Sequence, residues 1–143
     1  RKLPLGNGEV VKTYLAEIRE TAEKASAHND ADLNIVGHAL GDALDALEDA
    51  TDWMLENISE NPNDCLAGAT PYARLFGNVA GGHYLARAAL AAADTPDDSY
   101  LAAKKTTARF FAENTLPLCA GLVTPATAGA ASLFALDVQS FGT

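Results

Sequence analysis

Residues 30–59 read DADLNIVGHALGDALDALEDATDWMLENIS. Leu33, Val36, Leu40, Leu44, Leu47, Leu55 and Ile58 fall along a single helical stripe, the periodicity of an amphipathic helix. Asp42, Asp45, Asp49, Asp52 and Glu56 return every three or four residues on the opposite side. At about 1.5 Å per residue such a helix runs about 40–45 Å. In a chain of 143 residues, only a long antiparallel bundle buries a stripe of that length.

The flanking sequence agrees. Upstream, Val10, Val11, Tyr14, Leu15, Ile18, Ala22 and Ala25 share one face, with Lys12, Glu17, Arg19, Glu20, Glu23 and Lys24 on the other. Gly6-Asn7-Gly8 precedes this helix and His28-Asn29 ends it. Downstream, Asn61-Pro62, Thr95-Pro96 and Thr124-Pro125 each read as a helix start, an N-cap oxygen followed by a proline that lacks only a spare N–H. Asp64 and Asp98 then lie at the positive helix end. A third helix carries Ala69, Tyr72, Phe76, Val79, His83, Ala86 and Leu90. Leu75 and Leu85 lie off that seam, so this helix is apolar on more than one side. Pro71 is expected to kink it by freeing the carbonyl of Ala67, a separate helix restarting at Thr70-Pro71 being the alternative. The fourth helix spaces Leu101, Ala108, Phe111, Leu118 and Leu122, with Pro117 as a second kink. A short helix from Pro125 to about residue 136 follows, and residues 137–143 are expected to fray. No stretch alternates for the length of a strand. The expected fold is all-α: one domain over residues 1–143, an antiparallel up-down bundle of four long helices plus a short C-terminal helix.

Nineteen acids against ten bases give a net charge of −9, which argues against nucleic acid and anionic membrane surfaces as partners. No apolar run approaches the roughly 18 residues of a membrane span. The composition is that of a soluble, acidic, alanine-rich domain, and the opening Arg-Lys-Leu-Pro, with neither Met nor a signal segment, reads as part of a longer chain.

Chemical constellations are sparse. Ten acids and no base lie between Lys24 and Arg74, a solvated helix face rather than a catalytic carboxylate pair, which would need a desolvated member. None of His28, His38 or His83 has the Glu three residues earlier that bundle metal sites use. His38 and Asp42 stand one turn apart, without a third ligand nearby. In Gly37-His38-Ala39-Leu40-Gly41-Asp42 the cation of a phosphotransfer histidine is missing, and Asp42 would repel a phosphoryl group. His83 reads as a hydrogen-bonded core histidine. Cys65 and Cys119 read as buried small hydrophobes, since neither has redox spacing or an activating base beside it. Ala73, Gly77, Gly81 and Gly82 suggest a stripe on which another helix backbone packs closely.

Several runs resemble the C-terminal domain of one group of acyl-CoA dehydrogenases that includes the methylthio-propionyl-CoA dehydrogenases. They are Ala50-Thr51-Asp52-Trp53-Met54-Leu55, Leu66-Ala67-Gly68-Ala69-Thr70-Pro71-Tyr72 and Phe76-Gly77-Asn78-Val79-Ala80-Gly81-Gly82. Ala108-Arg109-Phe110-Phe111-Ala112-Glu113-Asn114-Thr115-Leu116-Pro117 and Gly129-Ala130-Ala131-Ser132-Leu133-Phe134-Ala135-Leu136 complete the set. Arg1-Lys2-Leu3-Pro4 is similar to the stretch that follows the family's catalytic region.

The resemblance implies an FAD-dependent oxidoreductase in which the flavin takes a hydride from an acyl-CoA after a Glu removes the α-proton. That Glu and the flavin-binding domain lie outside this chain, so no residue here is assigned a catalytic, cofactor-binding or metal-binding role. Gly81-Gly82-His83-Tyr84 is similar to a flavin loop but lies within a helical seam. The implied role is structural: packing on the enzyme body, shaping the substrate end or supporting a homodimer. Acyl-CoA would be met only through the full enzyme, in a cytoplasmic setting tied to fatty acid metabolism. The alternative from another class is a free-standing adaptor or histidine phosphotransfer-like bundle.

Overall fold

The computed structural model describes residues 2–94 and 99–142; the expected start at Thr95-Pro96, together with Asp98, lies outside them. Among the described residues regular structure is entirely helical. A 3-10 turn, Leu5–Gly8, leads into α1 (Glu9–Ser26). Gly8 has φ +89°, and a Cβ there would meet Leu55 Cδ1 at 2.9 Å. Only glycine serves both the backbone and the contact. Val11, Leu15, Ile18, Ala22 and Ala25 are buried on α1, whereas Val10 turns outward.

The link to α2 (Ala31–Asn57) is tied locally. His28 Nδ1 accepts the Asp30 N–H at 3.0 Å, and Asp30 Oδ1 accepts the N–H groups of Asp32 and Leu33 at 2.9 and 3.3 Å. Leu33, Val36, Leu40, Leu44 and Leu47 are at most 2% exposed, as their spacing predicts. Past Leu47 the buried phase passes to Thr51 and Met54, and Leu55 and Ile58 are only half-buried. Partners across α1 and α2 run in opposite order: Ser26 against Gly37, Arg19 against Asp45, Lys12 against Asp52. The pair is antiparallel. A Cβ at Gly37 would strike the Ser26 nitrogen and the Ala22 carbonyl, so glycine permits the closest part of this crossing.

After α2 come α3 (Pro62–Ala67), α4 (Ala69–Ala93), α5 (Ser99–Asn114), a 3-10 turn Leu116–Leu118, α6 (Ala120–Thr127) and a 3-10 turn Val138–Phe141. Helix α2 touches α1, α4, α5 and α6, and α4 touches the same other three. These two therefore hold the centre of an all-α up-down bundle. One apolar core runs through α1, α2, α4, α5 and α6.

The prolines act differently from the sequence expectation. Pro71 makes no kink, because the chain already breaks at Gly68 and α4 begins at Ala69. Pro71 is then the third residue of α4, at a position whose N–H would have no intrahelical acceptor, and the first such bond runs from Tyr72 N–H to the Gly68 carbonyl at 3.0 Å. The break lies where a Cβ on Gly68 would collide with the Ala126 carbonyl of α6. Pro117 makes no kink either: α5 stops at Asn114, and Pro117 sits in the 3-10 turn before α6. Burial follows that turn, with Leu116 at 2% exposed and Leu118 at 60%. Thr124-Pro125 starts no helix, since Pro125 lies inside α6. The carbonyl deprived of its helical N–H donor belongs to Gly121, which is exposed to solvent. Asn61 does precede a helix, but its side chain caps nothing.

Candidate functional site

A cleft between α1 and α4 gathers four of the chain's ten Phe, Tyr and Trp side chains, together with His83. Tyr14 stacks on Phe76 with centroids 5.8 Å apart and meets the edge of His83 at 6.0 Å. Tyr72 lies against Phe76, and Tyr84 against His83 at 5.1 Å. Arg87 lies over the Tyr84 ring. Helix α4 thus has two apolar sides, as expected: Leu75, Val79, Gly82 and Ala86 enter the core, and Tyr72 and Phe76 turn toward α1. Next to the stack an open groove of about 490 Å³ is lined by Lys2, Leu3, Val10, Val11, Tyr14, Tyr72 and Phe76.

The electrostatics of this cleft favour neutral groups. Burial holds His83 below its ordinary pKa, Arg87 adds to the effect, and Glu17 opposes it. His83 is 2% exposed, as expected of a core histidine, and its Nδ1 has no hydrogen-bond partner. Burial, then the Tyr84 hydroxyl, raises the Tyr14 phenol. Burial also raises Tyr72, partly offset by the 2.8 Å hydrogen bond to Thr51 Oγ1. Near neutral pH His83, Tyr14 and Tyr72 are therefore uncharged, while Lys2 lines the groove and Arg87 covers the Tyr84 ring.

The other singled-out residues do not converge on it. His38 is exposed and shares a shallow groove with Arg19, Glu23, Asp42 and Asp45. The Arg19 guanidinium there is bound to Asp45 and Glu48, both at 2.6 Å. Part of the acidic face of α2 is therefore neutralised by α1, a pairing that the reading of α2 alone missed. Asp32 and Asp30 likewise meet Arg109 and Lys105 of α5. Among the described residues no group of three His, Cys, Asp or Glu side chains is placed to hold a metal ion. Cys65 and Cys119 are free and buried, and burial raises both thiols. The small-residue stripe is not a helix contact. Ala73 and Gly77 are exposed, a Cβ on Gly77 would meet nothing within 4 Å, and one on Gly81 would meet only the Phe111 ring. Of the stripe only Gly82 is approached closely, by the side chains of Leu116 and Leu40 rather than by a helix backbone.

The chain beyond α6 holds the second surface: where the sequence predicts a helix from Pro125 to about residue 136 and a frayed end at 137–143, α6 ends at Thr127 and turns follow, the last a 3-10 turn at Val138–Phe141. Gly129 turns with φ +74° beside Asp64, whose Oδ1 accepts the Ala130 N–H at 2.7 Å. Asp64 thus ties α3 to this turn. Asp137 Oδ1 accepts from Ser140 N and Oγ, both at 2.9 Å, and caps the last 3-10 turn. Five large apolar side chains between residues 131 and 142 face outward. Their clustering in ASLFALDVQSFG was visible in the sequence; their lack of cover was not.

Fold and surfaces together define an all-α helical bundle with an aromatic cleft between α1 and α4 and an outward apolar strip at residues 131–142. The family model for acetyl-CoA dehydrogenase C-terminal like domains matches residues 14–137, and the chain belongs to that family. The 3-methylmercaptopropionyl-CoA dehydrogenase of Ruegeria pomeroyi is 31% identical over 123 residues, covering 83% of this chain and 21% of that protein. The chain thus spans about one-fifth of the length of the curated relative it matches. Neither comparison points to a phosphotransfer or adaptor module. No helix among the described residues is long and apolar enough to cross a membrane.

Proposed function

We propose that this chain is a single accessory domain, the C-terminal bundle of an FAD-dependent acyl-CoA dehydrogenase-like oxidoreductase of the cytoplasm. It packs on the enzyme body, shapes the substrate end of that body or supports its dimer, and catalyses nothing alone. The observation that carries this reading is the family match over residues 14–137, set against a relative of which the chain covers only 21%. Two features of the chain support it. In the aromatic cleft Tyr14, Tyr72 and His83 are held neutral near pH 7. The Gly81-Gly82-His83-Tyr84 run is helical, with Gly82 packed on Leu40 and Leu116, and so does not fit a flavin loop. Flavin, catalytic carboxylate and acyl-CoA cleft are then supplied by the body.

The test compares the 143-residue chain with the longer polypeptide encoded when its reading frame is extended upstream. The longer polypeptide is expected to carry flavin absorbance and to reduce an electron acceptor with an acyl-CoA. The relative's name makes 3-methylmercaptopropionyl-CoA the first thioester to try. The short chain is expected to do neither. Flavin binding or acyl-CoA oxidation by the short chain alone would overturn the proposal.

A further inference from the structure

Every residue from 131 to 142 is exposed, and this stretch holds Leu133, Phe134, Leu136, Val138 and Phe141 at 61–77% exposure. Apolar side chains scattered singly over a surface need no explanation, but five large ones within twelve residues form a patch of the kind that marks an interface. The stretch is nevertheless built. It is fixed at its base by the Asp64–Ala130 bond, and the Leu133 and Phe134 N–H groups return to the Ala130 carbonyl. Its one charged side chain, Asp137, is spent on Ser140. What remains outward is apolar side chain on hydrogen-bonded turns.

Two facts say what covers it. The family match runs to Asp137, so Leu133, Phe134 and Leu136 belong to the domain as the family has it. About four-fifths of the matched relative lies outside the matched part, and a body of that size must meet the bundle on some surface. The acidic face of α2 is a poor choice, because Asp45, Glu48 and Asp52 are already bridged to α1 and the remaining carboxylates would lose hydration on docking. Residues 131–142 lose no charge hydration when covered, apart from that of Asp137.

We infer that residues 131–142 are the seat by which this bundle docks on an apolar surface of the body of the same polypeptide. The inference rests on the reading under Proposed function and adds the surface that makes the contact. It is tested by amide hydrogen exchange on the 143-residue chain and on the upstream-extended polypeptide, each with and without F134S/F141S. These two side chains are 72% and 71% exposed, so circular dichroism of the short variant is expected to match the parent. In the longer polypeptide, exchange across residues 131–142 is expected to slow about tenfold or more relative to the short chain, and F134S/F141S is expected to restore it. Equal exchange in a longer polypeptide that does bind flavin would overturn the docking surface and leave the functional reading intact. Slowing that rises with concentration in the short chain, with a matching shift to dimer in sedimentation, would assign the strip to a second copy and overturn it as well. An extended frame that encodes no flavin-binding body would overturn the functional reading, and this inference with it.

Discussion

The leucine stripe of α2 and the strip at residues 131–142 are chemically alike and physically opposite. Leu33, Leu40, Leu44 and Leu47 are fully buried on the face of α2 that α1, α4, α5 and α6 pack around. Leu133, Phe134, Leu136, Val138 and Phe141 carry as much apolar surface and show most of it to water. Hydrophobicity states that a side chain gains by burial; it does not state which surface buries it. The stripe finds its partners within the bundle, and the strip has none among the described residues.

That contrast is easiest to break at its strong end. Leu44→Ala is expected to cost roughly 2–5 kcal/mol, read as a lower denaturant midpoint, because α2 cannot collapse onto the cavity. A cost below about 1 kcal/mol would mean that the centre of the bundle is loosely packed.

A matched pair of glycines comes next. Gly37→Ala drives a methyl group into the α1 backbone, which cannot step aside, and is expected to destabilise by about 1–3 kcal/mol. Gly77→Ala, in open space on α4, is expected to stabilise by up to about 1 kcal/mol through helix propensity alone. Thermal melts of the two variants should therefore move in opposite directions. Equal signs would refute the crossing geometry.

Asp30→Ala removes the α2 cap and is expected to cost about 1 kcal/mol. The hydrogen bond from Lys105, then the Leu33 and Asp32 N–H groups, hold the Asp30 carboxyl below its usual pKa, while burial opposes them. Because the folded value is the lower one, this contribution is complete above about pH 4 and is lost as pH falls through the lowered value. The difference between parent and variant in denaturant melts should shrink on acidification; a difference that grows would contradict the ion pair.

The smallest effect is expected at the weak end of the comparison. Phe134→Ala in the 143-residue chain should change stability by no more than about 0.5 kcal/mol, since the ring is 72% exposed. A larger loss would show that the strip packs within the bundle after all.

Helices α1 and α2 were legible in the sequence nearly to the residue, because each couples a strong apolar period to a local stop signal. The His28 turn and the Asp30 cap are made by neighbours in the chain. The prolines were legible only as punctuation. A proline is tolerated in a helix's first turn, kinks an interior, or sits in a connecting turn; Pro117 and Pro125 were placed in the wrong context, and for Pro71 the interior kink was preferred over the helix restart that α4 makes at Ala69. What separates the contexts is where α6 crosses the α3–α4 junction, at Gly68 and Ala126, residues 58 positions apart. The aromatic cleft was half legible: Tyr14 and Phe76 lay on the predicted apolar faces, but nothing in their spacing paired them. The orphaned Nδ1 of His83 left no sequence signal at all.

The sequence by itself determined the helical class, the central place of the α2 stripe, the acidic outer face and the family, because these rest on local period, charge and motif order. Only the tertiary structure decided which glycines carry close contacts, which acids are bridged, and that the apolar C-terminal strip is uncovered. Those outcomes depend on backbones and side chains far apart in the chain being brought within a few ångströms. No local pattern encodes that distance.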